Sequence, residues 1–177
     1  MAKKEKIIII DSSSLLLLHK ADILTRLSEV YNLQCTLAVF DEVVQSQKHD
    51  SININDYFKK NAIDIIYVNN EVYSNLLHFG IGERETILLY KQSIKTSNQI
   101  DIFICIDDKK AISFCFAKKI PFINALLVPK LLYLQNIISK NTFQNKFNEL
   151  SKAGWYSKSI IKRAQNFTKM ELQNFFQ

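Results

Sequence analysis

Short, unbroken apolar runs recur along the chain, each bounded by charged or turn-forming residues and separated by stretches with helical spacing. Ile7–Ile10, QCTLA at 34–38, IDIIYV at 63–68, IDIFICI at 100–106 and IPFIN at 120–124 read as strands. The first, KIIIID, is apolar without alternation, as expected for a strand buried on both faces of a parallel sheet. Between them, SLLLLHK, DILTRLSEVY with Asp22 as N-cap, VFDEVVQSQKHD, ININDYFKKN, EVYSNLLHF, ERETILLYKQSIK and KKAISFCFAKK read as helices. The apolar residues of ERETILLYKQSIK surround most of its circumference, which predicts a buried helix. Two or three more helices follow residue 124, with Gly154 separating FNELSKA from SKSIIKRAQNF. This alternation predicts an α/β fold whose parallel sheet is covered on both faces.

Acidic residues fall where these elements begin or end. Asp11 closes the isoleucine strand, Glu42 lies in FDEVV, Glu83 follows GIG, and Asp107 and Asp108 follow IFICI. In open α/β sheets, ligands bind beyond the carboxyl ends of strands, where strand order reverses. Carboxylates converging there would hold a divalent metal, and two such ions can clamp both oxygens of a phosphodiester displacement. A carboxylate ending an apolar strand is costly to desolvate unless paired, hydrogen-bonded or metal-bound, so Asp11 is the strongest candidate. Its structural alternative is a cap on the next helix. Ser12 and Ser13 would orient it or contact a phosphate, or simply satisfy turn amides.

Asp107 and Asp108 point to opposite sides in an extended segment, so one faces a site and the other caps the helix at Lys109. Glu83 opens a helix, where the macrodipole alone favours a negative charge. Asp41 and Glu42 flank the stripe of Val39, Phe40, Val43 and Val44 equally, so periodicity does not choose between them. His19, His49 and His78 lack zinc spacing, GIG is followed by Glu rather than GK[ST], and no GxSxG occurs.

Length and composition narrow the picture. With 177 residues, 47% hydrophobic, three Gly and two Pro, the chain predicts a single compact domain spanning 1–177. Asp11 and the serines split the apolar start into two runs of four, too short to cross a membrane. Cys35, Cys105 and Cys115 are odd in number and lack metal spacing, which reads as buried free thiols in a reducing cytoplasm. Residues 1–138 hold 16 basic and 15 acidic side chains, whereas 139–177 hold 7 and 2. Phe143, Phe147, Trp155, Tyr156 and Phe167 interleave with that basic tail. They either stack nucleic-acid bases or pack inward as the apolar face of a helical hairpin, the second being favoured for aromatics.

The segments IIIIDSSSLLLLHKADIL, VFDEVV, GIGERETILLY and ICIDDKKAISFCFAKKIPFIN, in this order, resemble a PIN-domain protein, with the VapC-like GxGE subgroup the most similar. The likeness runs from about Ile7 through the tail, including the basic helical segment from about 126–177. It implies a three-layer α/β/α fold with a central parallel sheet of about five strands. It also implies acidic residues around one or two Mg²⁺ or Mn²⁺ ions that activate water and neutralise the scissile phosphate for RNA cleavage. By position, Asp11, Glu42, Glu83 and Asp108 match the acidic residues, with Asp107 competing for the fourth place and Glu85 for the third. Metal ligation falls to Asp11, Glu83, Asp107 and Asp108, and substrate contact to Ser12 and Ser13. Such proteins are commonly toxins countered by an antitoxin protein, and often homodimers. The competing readings are a noncatalytic PIN-like module binding RNA or protein, and an aspartyl-phosphate transferase, disfavoured because no second Asp lies two residues beyond Asp11.

Overall fold

The computed structural model describes residues 6–46, 56, 58–59, 63–68, 76–96 and 101–171. Its centre is a sheet of strands β1 (Lys6–Ile10), β2 (Asn32–Thr36), β3 (Asp64–Ile66), β4 (Asp101–Cys105) and β5 (Phe122–Ile123). All pairings are parallel, in the order β3-β2-β1-β4-β5. The chain steps from β1 outward to β3 on one side, then returns to place β4 on the other side of β1. The order therefore reverses between β1 and β4.

The alternate pointing of strand residues divides β1 between two cores. Ile8 and Ile10 face a core formed with helices α1 (Ser12–Lys20), α2 (Leu24–Val30) and α3 (Leu37–Ser46). Ile9 faces a second core with Ile102, Ile104 and helices α4 (Ile81–Thr96) and α5 (Lys109–Ala117). Both faces are thus apolar and covered, which is why the isoleucine run shows no alternation. Together these layers make the three-layer α/β/α arrangement expected from the strand–helix alternation.

Three helices complete the first layer: α6 (Val128–Leu134), α7 (Lys140–Ala153) and α8 (Lys158–Asn166). A 3₁₀ turn at Ala125–Leu127 joins β5 to α6, capped by the side chain of Asn124. Phe147, Leu150 and Ala164 enter the first core, and Phe143 stacks on Tyr133 at 5.3 Å. The tail aromatics therefore pack inward with a single exception among the described residues, Trp155, which is 97% exposed.

Several boundaries differ from the sequence expectation. The second strand starts at Asn32 and ends at Thr36, so Leu37 and Ala38 belong to α3. The Thr36 hydroxyl accepts from the Val39 amide at 3.3 Å, starting the helix directly at the strand end. Asp22 is not an N-cap: its backbone is left-handed at φ 47°, and its amide donates to His19 O at 2.8 Å. Asp tolerates that conformation better than most residues, so it closes α1 rather than opening α2. The expected helices ININDYFKKN and EVYSNLLHF lie largely outside the described residues.

Phe103 lies at the sheet centre, 1% exposed, edge-on to Tyr31 at 5.7 Å. Phe103→Ala is expected to lower the unfolding free energy by about 3–5 kcal/mol in a urea titration. Phe116→Ala, at a position 80% exposed, should change it by less than about 0.5 kcal/mol. Similar small effects at both positions would contradict this core.

Candidate active site at the carboxyl ends of the parallel strands

The pairing of β1 with β4 runs to Ile10 opposite Cys105, and the Asp11 amide donates to Cys105 O at 3.0 Å. That register brings the two acidic strand ends together at the reversal point. Asp11 is 1% exposed. Its Oδ1 accepts from the Ser14 amide at 2.8 Å, capping α1, and its Oδ2 accepts from Ser13 Oγ at 2.7 Å. The capping role and the position at the strand crevice thus belong to one carboxylate.

Of the aspartate doublet, Asp107 turns toward Asp11 and Asp108 turns away. Asp108 Oδ1 accepts from the Ala111 amide at 2.8 Å and caps α5. Asp107 Oδ2 accepts from Ser14 Oγ at 2.7 Å and from the Ala125 amide at 3.0 Å. Its Oδ1 accepts from the Tyr156 hydroxyl at 2.6 Å. Ser14 therefore bridges the two carboxylates, its amide to Asp11 and its hydroxyl to Asp107.

The third and fourth walls come from α3 and α4. Gly82, in the first turn of α4, lies against α3 so closely that a Cβ there would stand 2.7 Å from Glu42 Oε2 and 3.7 Å from Ser12 Oγ. Glu42 and Ser12 thus meet at Gly82, and Ser12 is the residue next to Asp11. Asp41 and Glu42 are both exposed, and it is Glu42 whose carboxylate reaches Gly82. Glu83 leans back over the start of its own helix, its carboxylate lying over Gly80, the geometry of a third-position residue serving the helix N-terminus. Glu85 is buried and lies three residues beyond Gly82, on the same helical face, as does the buried Thr86. Among the described residues the Thr86 hydroxyl has no hydrogen-bond partner.

Burial dominates the electrostatics. It pushes the Asp11 carboxyl up to about 7, against the bonds from Ser14 and Ser13 that pull it down, and the negative charge of Asp107 adds to the rise. Burial, then the charge of Asp107, also push the Tyr156 phenol far up, so it remains a donor. Among the described residues, the ion pairs are Lys6–Asp101, Arg26–Glu29 and Lys146–Glu149, none of them at this site. Cys35, Cys105 and Cys115 are buried free thiols.

Oxygen-only donors, one of them desolvated without a cationic partner, suit a hard divalent ion in kind. Both Asp11 oxygens and Asp107 Oδ1 keep a lone pair beyond the bonds given, whereas Asp107 Oδ2 already accepts two. Yet among the described residues no three His, Cys, Asp or Glu side chains gather closely enough to enclose a metal. Hydrogen bonds from Ser13, Ser14, Ala125 and Tyr156 satisfy Asp11 and Asp107 instead, with Ser14 shared between them. Neither Ser14 nor Tyr156 stands out in the sequence as a partner of the acidic residues. A bridging hydroxyl three residues beyond Asp11 and a tyrosine 49 residues beyond Asp107 leave no spacing signal.

A buried Asp11 beside a half-buried Asp107, at the switch point of a three-layer parallel α/β fold, puts two carboxylates where such sheets bind ligands. A family model described as a PIN domain matches residues 7–167, and the chain belongs to that family. PIN domains are generally nucleases and typically metal-dependent. No curated protein and no solved structure matches the chain significantly.

Two predictions follow from this geometry. Because the folded Asp11 titrates near 7 rather than 3.8, the folded state keeps a proton that the unfolded chain has lost. Below about pH 4 there is no penalty; stability then falls as pH rises through this window, by at most on the order of 4 kcal/mol. Asp11→Asn keeps the cap and removes that loss. In EDTA, its melting temperature should match wild type near pH 4 and exceed it by several degrees at pH 8; equal values at pH 8 would contradict the burial argument. Gly82→Ala should leave stability unchanged or raise it by up to about 1 kcal/mol, while displacing Glu42 and lowering activity, as paired melting and cleavage assays would show.

Proposed function

We propose that this protein is a metal-dependent endoribonuclease of the VapC-like, GxGE-bearing kind, acting on single-stranded or structured RNA as the toxin of a toxin–antitoxin pair. The observation that carries the reading is the buried Asp11 facing Asp107 at the point where strand order reverses, neither in an ion pair among the described residues. Asp11, Glu42, Glu83 and the aspartate doublet are the proposed catalytic carboxylates, with Asp107 the better placed of the doublet and Glu85 an alternative to Glu83. Asp11 and Asp107 would hold Mg²⁺ or Mn²⁺, joined by an acidic side chain of α3 or α4. The bound ion would supply Lewis acidity toward the scissile phosphate and a more acidic water.

The protein's own groups do the positioning. Ser14 fixes the two aspartates relative to one another, and the Asp11 cap fixes α1 against the strand end. Tyr156 holds Asp107 by a bond that metal capture would have to loosen or share. Ser12 and Ser13 are proposed to meet the phosphate. No side-chain nucleophile is required. A cognate antitoxin, a homodimeric assembly and a cytoplasmic location complete the proposal; no described helix is long and apolar enough to cross a membrane.

The second reading, a noncatalytic PIN-like module that binds RNA or protein, is favoured by one observation. The described carboxylates are hydrogen-bonded separately rather than gathered around a common point. The two readings part on turnover. End-labelled single-stranded RNA incubated with the protein should be cut in Mg²⁺ or Mn²⁺ and left intact in EDTA. Asp11→Asn and Asp107→Asn should each reduce cleavage by roughly a hundred-fold or more, and Asp108→Asn by much less. Binding without cutting in any metal would establish the noncatalytic module.

A further inference from the structure

Among the described aromatics of the tail, Trp155 is the one that packing does not explain. Trp155 is 97% exposed, yet the segment bearing it is tightly held. Gly154 ends α7 by donating its amide to Leu150 O at 2.9 Å, and a Cβ at Gly154 would collide with the Tyr156 ring. Tyr156 reaches in to Asp107 at 2.6 Å, and the Ser157 hydroxyl caps α8 by accepting from the Ile160 amide at 3.3 Å. Anchors at Gly154, Tyr156 and Ser157 thus fix the backbone while the indole between the first two stands in water. Gly154 and Ser157 have extended backbones, in which successive side chains point opposite ways, so Trp155 stands outward where its neighbour Tyr156 reaches in to Asp107.

We infer that Trp155 is a stacking platform for an unpaired nucleobase beside the acidic site, with Lys152 and Lys158 engaging the flanking phosphates. The inference rests on the ribonuclease reading and adds to it the form of substrate: a single strand whose base is free to leave its neighbours. An exposed indole offers a large rigid face to any base, and stacking does not require a particular base identity. The charge around it fits a polyanion. From Leu150 through Met170 the chain has five basic residues and no acidic one. Lys152 and Lys158, three residues to either side of Trp155, are exposed. A protein partner seated on the indole would meet a flanking segment with basic and no acidic side chains, so a polyanionic RNA strand is the better match.

Trp155 is the only tryptophan in the chain, so intrinsic fluorescence reports on it alone. Asp11→Asn protein, which keeps RNA intact, would be titrated with a short oligoadenylate and with the same strand annealed into a duplex. The single strand should quench the emission saturably and the duplex should not. By anisotropy of a labelled strand, Trp155→Ala in that background should weaken binding about ten-fold or more, and Trp155→Phe should recover part of it. Both variants should melt at the parent temperature. If wild type cuts RNA while emission is unmoved and Trp155→Ala binds as the parent does, stacking is overturned and the nuclease reading stands. If no strand is bound or cut in any metal, both fall. Quenching by a co-expressed small protein but not by RNA would replace the platform with a protein interface.

Discussion

The structure turns on the in-register pairing of β1 with β4. Both strands are buried on both faces, so a slip of one residue would carry an isoleucine row from one core to the other. The pairing extends one residue beyond the strands, through the Asp11 amide and Cys105 O. It therefore fixes where the first polar side chain after each strand emerges. Asp11 and Asp107 share a crevice because the apolar ladder behind them admits no other alignment. Ser14, Ala125 and Tyr156 then converge on that crevice from the first turn of α1, the turn after β5 and the loop before α8.

Asp11 shows how structure and function oppose each other at such a site. Its carboxyl is well placed as a helix cap, but an Asn would cap equally well without a buried charge. A residue that raises the energy of the folded state at neutral pH, in a position where a neutral isostere fits, is characteristic of a functional site. Asp107 is stabilised differently, by three donors that include the Tyr156 phenol. The tail helices are thereby tied to the strand crevice, so the basic segment is part of the site's wall rather than an appendage.

Much of this was legible in the residues. The five apolar runs, the described helices between them and the position of Asp11 follow from periodicity, because burial on two faces leaves an unbroken apolar pattern. The inward packing of Phe143, Phe147, Tyr156 and Phe167 followed the same logic. The sequence was silent where local rules compete. Asp22 satisfies the composition of an N-cap but takes a left-handed turn, and the second strand yields Leu37 and Ala38 to a helix that starts directly on Thr36. Choosing Asp107 over Asp108 as the inward residue required the register. The contacts of Ser14 and Tyr156 depend on tertiary proximity across 93 and 49 residues, which no spacing rule encodes. The outward turn of Trp155 follows only once Tyr156 is seen to bond Asp107.

The central claim is that the switch-point carboxylates of Asp11 and Asp107 together hold a catalytic divalent ion. Anomalous diffraction from crystals grown with Mn²⁺ tests it most directly. The account predicts a peak at coordination distance, roughly 2.0–2.3 Å, from an oxygen of Asp11 and one of Asp107, with the Tyr156 bond lengthened. A peak remote from Asp11, or none at saturating Mn²⁺, would contradict it.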